Sequence, residues 1–233
     1  MQYLAKTTES GVWFAQHAAC RLDAEAEVLP IMGRRTLMNK FSFKMSAGQP
    51  MNFEKISILH TSRDQAYDGM DEENIAETLK KDGMTALKTA FDKGYAVLKQ
   101  ESEDKWKDYW KESDILVEGD ADFDQLAVRF ALYHLNIMVK HDDNRVGIGA
   151  KALTGEGYKG HSFWDTEMFI LPYFTFTRPQ TARTLLEYRY RNLFGAHLKA
   201  REWGYEGAMY PWECAWVDDG EVTPLYIGAD VVT

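Results

Sequence analysis

A tryptophan and an aspartate stand side by side where a glycine-rich segment ends, at Trp164 and Asp165. The face of an indole ring can stack on the apolar C–H face of a sugar. A neighbouring carboxylate can accept hydrogen bonds from two sugar hydroxyls, and charge-assisted bonds of this kind are strong. An aspartate at the start of a helix can instead serve only as a cap. The residue types therefore leave two interpretations open, a sugar-binding pair and a helix start.

Other chemical motifs fail at the positions that their chemistry requires. The segment Gly155–Gly160 superficially resembles a phosphate-binding loop, yet His161 and Ser162 follow it where Lys and Ser or Thr are needed. The acidic residues from Asp120 have the first spacings of a calcium loop but lack its glycine and its final glutamate. No HExxH, CxxC or G-x-S-x-G motif occurs. Metal, nucleotide and serine-hydrolase chemistry are disfavoured, and we expect no cofactor.

The glycine-rich segment and the residues after it resemble a known family. Positions 155 to 167 are similar to the hallmark Gly-x-Gly-Tyr-x-Gly-His-x-Phe-Trp-Asp-Thr-Glu of glycoside hydrolase family 65. The likeness covers nearly the whole chain and is most specific from 151 to 224, so we expect a central fragment of a longer enzyme. Its other parts are Thr61–Asp64, Leu171–Phe174, Ala182–Arg183, Leu186–Tyr190, Gly195–Ala196, Gly204–Glu213 and Asp219–Pro224.

The resemblance implies roles for seven residues in a sugar pocket. Trp164 and Asp165 would hold the glucosyl unit in the subsite before the scissile bond. The other five would line or support the pocket, or lie at its mouth, and they are His161, Phe163, Glu167, Trp212 and Glu213. The family's general-acid glutamate lies downstream of this motif, and we expect it beyond the end of the chain. We therefore assign no catalytic residue here, and we expect the isolated chain to lack the full catalytic machinery.

The reaction that the resemblance implies is inverting phosphorolysis of an α-linked glucose disaccharide. Inorganic phosphate would be the co-substrate, and the products would be β-glucose 1-phosphate and glucose or another sugar. The region from Trp212 to Pro224 is most similar to members that act on kojibiose or nigerose. Two alternatives stay open. One is a trehalase-like hydrolase that uses water, and the other is a noncatalytic fragment that binds sugar or assembles with a partner chain.

Hydrophobic periodicity predicts strands first and helices afterwards. Alternating or short apolar runs between turn residues predict strands at Val12–Ala15, Thr36–Met45 and Met51–His60. From about Glu72 the apolar residues recur at helical spacing. The resemblance places these parts in a mixed fold. Residues 1–64 would end an N-terminal β-sandwich, 65–117 would form a helical linker, and 118–233 would begin a truncated (α/α)6 catalytic barrel.

Three helices are predicted in the last of these parts. The first begins at Asp122 as its N-cap and runs to about Lys140, with His134 as a core histidine on its apolar side. The second runs from Phe163 or Trp164 to about Phe176. Pro179 then starts the third, with Thr177 as its cap, and this helix ends near Gly204.

Composition and charge restrict the class of partner. The formal net charge of −9 disfavours nucleic acid and anionic membrane surfaces, which attract basic proteins. No run of about 18 apolar residues predicts a membrane span, and the N-terminus has no apolar signal region. Two cysteines far apart in sequence do not predict a disulfide framework. We expect a cytoplasmic protein whose partners are a disaccharide and phosphate, and the resemblance also allows a homodimer.

Overall fold

The computed structural model describes residues 1–153, 155 and 157–214. The chain divides into two units, one from Met1 to Trp106 and one from Lys107 onward. Within the described residues, no helix is both long and apolar enough to cross a membrane.

A three-stranded antiparallel sheet forms the first unit's framework. The central strand is β2, which pairs with β1 on one side and β5 on the other. Two further strands, β3 and β4, form a separate antiparallel hairpin closed at Gly33 and Thr36. The five strands span Gln2–Lys6, Trp13–Leu22, Glu27–Gly33, Thr36–Ser42 and Phe53–Thr61 in chain order.

A long helix, α1, covers one face of that sheet with apolar side chains. It runs from Glu72 to Ser113 and bends at Gly94, where φ is 73° and ψ is 169°, values that glycine tolerates at little cost. Ile75 and Leu79 of α1 form a buried cluster with Ala15 of β2 and with Tyr67. The core of this unit is therefore the interface between the sheet and the first turns of α1.

The helix lies close to the sheet at Gly83, which packs against His17 of β2. A Cβ atom on Gly83 would overlap atoms Nδ1 and Cε1 of the fully buried His17 ring. Burial lowers the pKa of His17 and so favours the neutral imidazole. The missing side chain at position 83 is what lets this imidazole fit beneath the helix.

The second unit is mainly helical. Its helices are α2, α3, α4 and α5, and its described strands are short. A buried apolar cluster joins Phe174 of α3 and the α4 residues Ala182 and Leu185 to Val139 and Ile148. The helices span Asp122–Ile137, Leu171–Thr177, Pro179–Arg191 and Leu193–Glu202, and the strands β6, β7 and β8 span Ala150–Leu153, Ser162–Phe163 and Glu213–Cys214.

The predicted order of strands first and helices second is confirmed, so the fold is a mixed one of sheet and helices. Sequence periodicity missed two strands, Gln2–Lys6 and Glu27–Gly33. Every residue of the second of these is exposed, so no alternation between a buried and a solvent face marks it as a strand.

Helix boundaries differ from the predictions where the cap residue was chosen by type alone. The N-cap of α2 is Ala121, and Asp122 is already the first helical residue. The N-cap of α4 is Arg178, so the assignment of Thr177 was wrong, whereas Pro179 does start the helix. The predicted third helix ends earlier than expected, because Asn192 separates α4 from α5.

The apolar side predicted for α2 is exposed within the described residues. Among the residues of this helix only Leu132 is buried. His134 was predicted in the core, but it is exposed, and its Nδ1 lies 2.8 Å from the carbonyl oxygen of Phe130. The exposed apolar residues on α2 are Phe123, Leu126, Phe130, Tyr133 and Ile137.

Candidate functional site

Two distant segments of the second unit meet in a short strand pair. β7 and β8 pair antiparallel, with Ser162 opposite Cys214 and Phe163 opposite Glu213. Beyond this pair, the backbone N–H of Trp164 donates a hydrogen bond to the carbonyl of Trp212 over 3.3 Å. The pairing therefore places the Trp164–Asp165 segment beside the Trp212–Glu213 segment.

The two tryptophans that flank this strand pair contact each other. The ring centroids of Trp164 and Trp212 lie 5.5 Å apart, with a 44° angle between the ring planes. Trp164 is half-buried, and its indole Nε1 is buried without a hydrogen-bond partner among the described residues. Such a pair offers a rigid apolar surface with one donor unused.

Asp165 is exposed and faces a cavity of about 370 Å³. Phe163 and Trp212 also line this cavity, together with Lys151 and Tyr158, which the sequence reasoning did not select. Asp165 precedes a π-helical segment, Thr166–Ile170, but its side chain makes no capping hydrogen bond. The helix-cap interpretation of Asp165 is therefore not supported.

The segment predicted as one helix from Phe163 or Trp164 to Phe176 is instead built from three pieces. Phe163 belongs to β7, residues 166–170 are π-helical, and α3 begins only at Leu171. π-Helical turns are rare and occur often at functional sites. Here the wide turn directly follows Trp164 and Asp165 and so sets the direction in which the chain leaves them.

His161 and Glu213 form a half-buried pair beside the strands. His161 Nδ1 lies 2.6 Å from Glu213 Oε1, and the two side chains are 31% and 24% exposed. Neither residue lines the cavity, and their contact joins the residue before β7 to β8. The resemblance implied a role in the sugar pocket for both residues, but the contact between their side chains was not predicted.

Glu167 is held by Arg189 of α4. Arg189 Nε donates to Glu167 Oε1 over 2.8 Å, and Arg189 Nη2 donates to Oε2 over 2.9 Å. Burial lowers the pKa of Arg189, but the hydrogen bond and charge of Glu167, together with Cys214 and Tyr188, raise it overall, so the guanidinium stays charged. Arg189 was part of the resemblance, but helical periodicity gave it no role.

The glycine-rich segment forms part of the cavity wall through Tyr158. Tyr158 has a φ of 58° and places its ring edge-on to Phe163, with ring centroids 5.2 Å apart. A Cβ atom on Gly147 would overlap Ser162 Oγ and the Tyr188 ring, which explains a glycine at that position. Thr154, Glu156 and the Asp219–Pro224 part of the resemblance lie outside the described residues.

A buried tyrosine lies under β8. Tyr188 of α4 is 5% exposed, and its hydroxyl donates a hydrogen bond to Cys214 Sγ over 3.5 Å. Burial raises the pKa of Tyr188 to about 12. In the part of the chain that the structure describes, no group of three or more His, Cys, Asp or Glu side chains is placed to hold a metal ion.

We expect Tyr188 to make the second unit sensitive to high pH. An unfolded tyrosine ionises near pH 10, whereas folded Tyr188 ionises near pH 12. Tyr188 therefore contributes fully to the free energy of unfolding below about pH 10, and this contribution is lost as the pH rises to about 12. The free energy of unfolding falls by at most about 2–3 kcal/mol over this range. Urea unfolding at pH 8 to 12 measures this loss.

Tyr188→Phe should reduce that alkaline loss of stability. Tyr190→Phe is the matched control, because Tyr190 lies on the same helix and is 73% exposed. Equal pH profiles for the two variants would show that the buried phenol does not control the alkaline transition.

Comparisons with known proteins give the same family for both units. Residues 1–109 match the glycosyl hydrolase family 65 N-terminal domain, and residues 129–231 match the central catalytic domain of that family. Kojibiose phosphorylase of Halothermothrix orenii is 45% identical over 98% of this chain and 29% of its own length. Nigerose phosphorylase of Lachnoclostridium phytofermentans is 34% identical over 87% of this chain and 25% of its own length.

A solved structure shares the fold. It is described as a candidate kojibiose phosphorylase from the human microbiome. The superposition has a TM-score of 0.73 at 24% sequence identity. It covers 94% of this chain and 27% of the solved chain. The chain therefore spans less than a third of the length of the relatives that it matches.

Proposed function

Because this chain belongs to glycosyl hydrolase family 65, we propose that it forms part of an enzyme that phosphorolyses an α-linked glucose disaccharide with inversion. The products are β-glucose 1-phosphate and glucose or another sugar. Inorganic phosphate is the co-substrate, and the reaction needs no further cofactor. Relatives named as kojibiose and nigerose phosphorylases support this class of substrate.

One observation carries the proposal furthest: the Asp165 carboxylate faces a cavity beside two paired tryptophans. In the proposed complex, the carboxylate accepts hydrogen bonds from two hydroxyls of the glucosyl unit. Trp212 lines the cavity and supplies the apolar surface, and Trp164, which does not line the cavity, packs against Trp212. Phe163 lines the same cavity. His161, Glu167 and Glu213 do not line it, and in the proposed complex they support the segments on either side of Trp164 and Asp165 through their ion pairs.

The proposed chemistry is a single displacement at the anomeric carbon. A phosphate oxygen forms the new bond to that carbon as the glycosidic C–O bond breaks, and a general acid protonates the leaving oxygen. Phosphate thus replaces the base-activated water of an inverting hydrolase. We assign the acid to neither Glu167 nor Glu213. Both oxygens of Glu167 accept bonds from Arg189, and Glu213 Oε1 contacts His161.

We further propose the architecture in which this site lies. Residues 1–64 belong to a β-sandwich, 65–117 form a helical linker, and 118–233 belong to an (α/α)6 barrel. The shared fold of the solved relative supports this architecture. The exposed apolar face of α2 also supports it, because helices of a closed barrel pack on both neighbours.

A phosphate-dependence assay tests the proposed function. The protein is incubated with kojibiose, nigerose, maltose or trehalose, with and without phosphate, and glucose 1-phosphate is measured. We expect phosphate-dependent release from one disaccharide, with kojibiose or nigerose favoured, from the longer enzyme of which this chain forms part, and no release from the isolated chain. Release of glucose alone, independent of phosphate, would indicate a hydrolase. No product together with measurable glucose binding would indicate a sugar-binding part without the complete catalytic machinery.

A further inference from the structure

Arg189 makes contacts on both sides of the Trp164–Asp165 pair. Its Nη2 donates a hydrogen bond to the carbonyl of Phe163 over 3.2 Å, directly before Trp164. Its Nε and Nη2 also hold the two oxygens of Glu167, two residues after Asp165. The guanidinium of Arg189, which lies on α4, thus holds both ends of the five-residue segment from Phe163 to Glu167.

Stability alone does not explain a charged pair at this place. The Arg189 side chain is 10% exposed and that of Glu167 is 31% exposed. Removing such charges from water costs about as much as their attraction gains, so a buried ion pair is a poor source of net stability. What the pair does supply is geometry, because a planar guanidinium binds a carboxylate in one orientation.

The segment that Arg189 holds needs such a restraint. It passes from a two-residue strand through Trp164 and Asp165 into a π-helical turn. Neither element is long enough to fix its own direction by its backbone hydrogen bonds. A side chain that contacts Phe163 and Glu167 together defines the backbone between them, and therefore where Asp165 is directed.

We infer that Arg189 is a positioning residue that sets the orientation of Asp165 in the sugar-binding cavity and of Trp164 against Trp212. The inference rests on the proposed function for its consequence in sugar binding. Its structural part does not depend on that function, since the geometry of Trp164 can be measured without a sugar.

The test uses the contact between the two tryptophans as a spectroscopic signature. Indole rings as close as those of Trp164 and Trp212 couple their electronic transitions and give a paired positive and negative band in far-ultraviolet circular dichroism. Trp212→Phe removes one member, so the difference from the parent protein isolates the signal of this pair. Glucose affinity is measured on the same samples by titration calorimetry.

Arg189→Lys keeps the charge but not the planar fork. We expect a folded protein whose tryptophan-pair band is reduced by at least half and whose glucose affinity is roughly tenfold lower, a shift of about 1.4 kcal/mol. Glu167→Gln keeps the size of the side chain and weakens the same contact, so it provides a second test if the lysine variant does not fold.

Arg183→Lys is the matched control. Arg183 lies on the same helix and pairs with Glu187 over 2.8 Å, but its side chain is 71% exposed and does not contact the site segment. The parental band and affinity are expected for this variant.

Two results separate the inference from the proposed function. A parental tryptophan-pair band in folded Arg189→Lys and Glu167→Gln proteins would overturn the positioning role. A lost band in these variants, with no glucose binding even by the parent, would support the positioning role and count against the sugar-binding function.

Discussion

Replacing Asp165 with asparagine is expected to lower glucose affinity by about two orders of magnitude. Asparagine keeps the size of the side chain but loses the charge and replaces one acceptor oxygen with a donor. Hydrogen bonds to a charged group contribute roughly 1.5–3 kcal/mol each, and we propose that Asp165 makes two of them. Titration calorimetry with glucose measures the affinity, and any phosphate-dependent release of glucose 1-phosphate should fall in parallel.

The stability of the Asp165→Asn protein should remain that of the parent, because Asp165 is exposed and makes no capping hydrogen bond. Asp120→Asn is the control, since Asp120 is also exposed and lies outside the cavity. An Asp165→Asn protein that binds glucose like the Asp120→Asn control would contradict the proposed role of this carboxylate.

The largest loss of stability at neutral pH is expected for Gly83→Ala in α1. Alanine is a better helix former than glycine by about 1 kcal/mol, so an open site would gain stability. Here the added Cβ overlaps the fully buried His17 ring. Overpacking in a core costs about 1–3 kcal/mol and sometimes more. We expect a net loss of roughly 2 kcal/mol in the free energy of unfolding, measured in urea by circular dichroism.

A double variant identifies the cause of that loss. In a His17→Ala background the ring is absent, so Gly83→Ala should become neutral or stabilising. The same loss in both backgrounds would show that the His17 contact does not limit residue 83.

The chemistry of the site was more predictable than its internal contacts. The residue types of Trp164 and Asp165 left a sugar-binding pair and a helix cap open, and the resemblance to family 65 favoured the sugar-binding pair. The structure places Asp165 at a cavity and Trp164 against Trp212. Their roles in binding sugar stay a prediction. The contact between Arg189 and Glu167 was not predicted, because helical periodicity shows which residues are polar but not which distant residue they meet.

Secondary structure was predictable only where a periodic pattern is long. The alternation in β5 and the helical spacing in α1 extend over many residues, so both elements were found. The turn after Asp165 was predicted as an ordinary helix, since a five-residue π-helical segment has no periodicity of its own. For α2, the pattern identified an apolar face correctly but could not identify what covers it, and His134 on that face is exposed.

The pairing of β7 with β8 also determines when the site can form during folding. His161 and Glu213 are 52 residues apart in the chain, and closing a flexible loop of that length costs about 3.5 kcal/mol of chain entropy beyond a constant. A two-residue ladder cannot recover this on its own, so the intervening helices must form first and shorten the distance. We therefore expect this part of the cavity wall to be assembled late and to be among the first parts to open when the protein fluctuates. A ligand that contacts Asp165 and Trp212 together would stabilise this late-forming part of the fold.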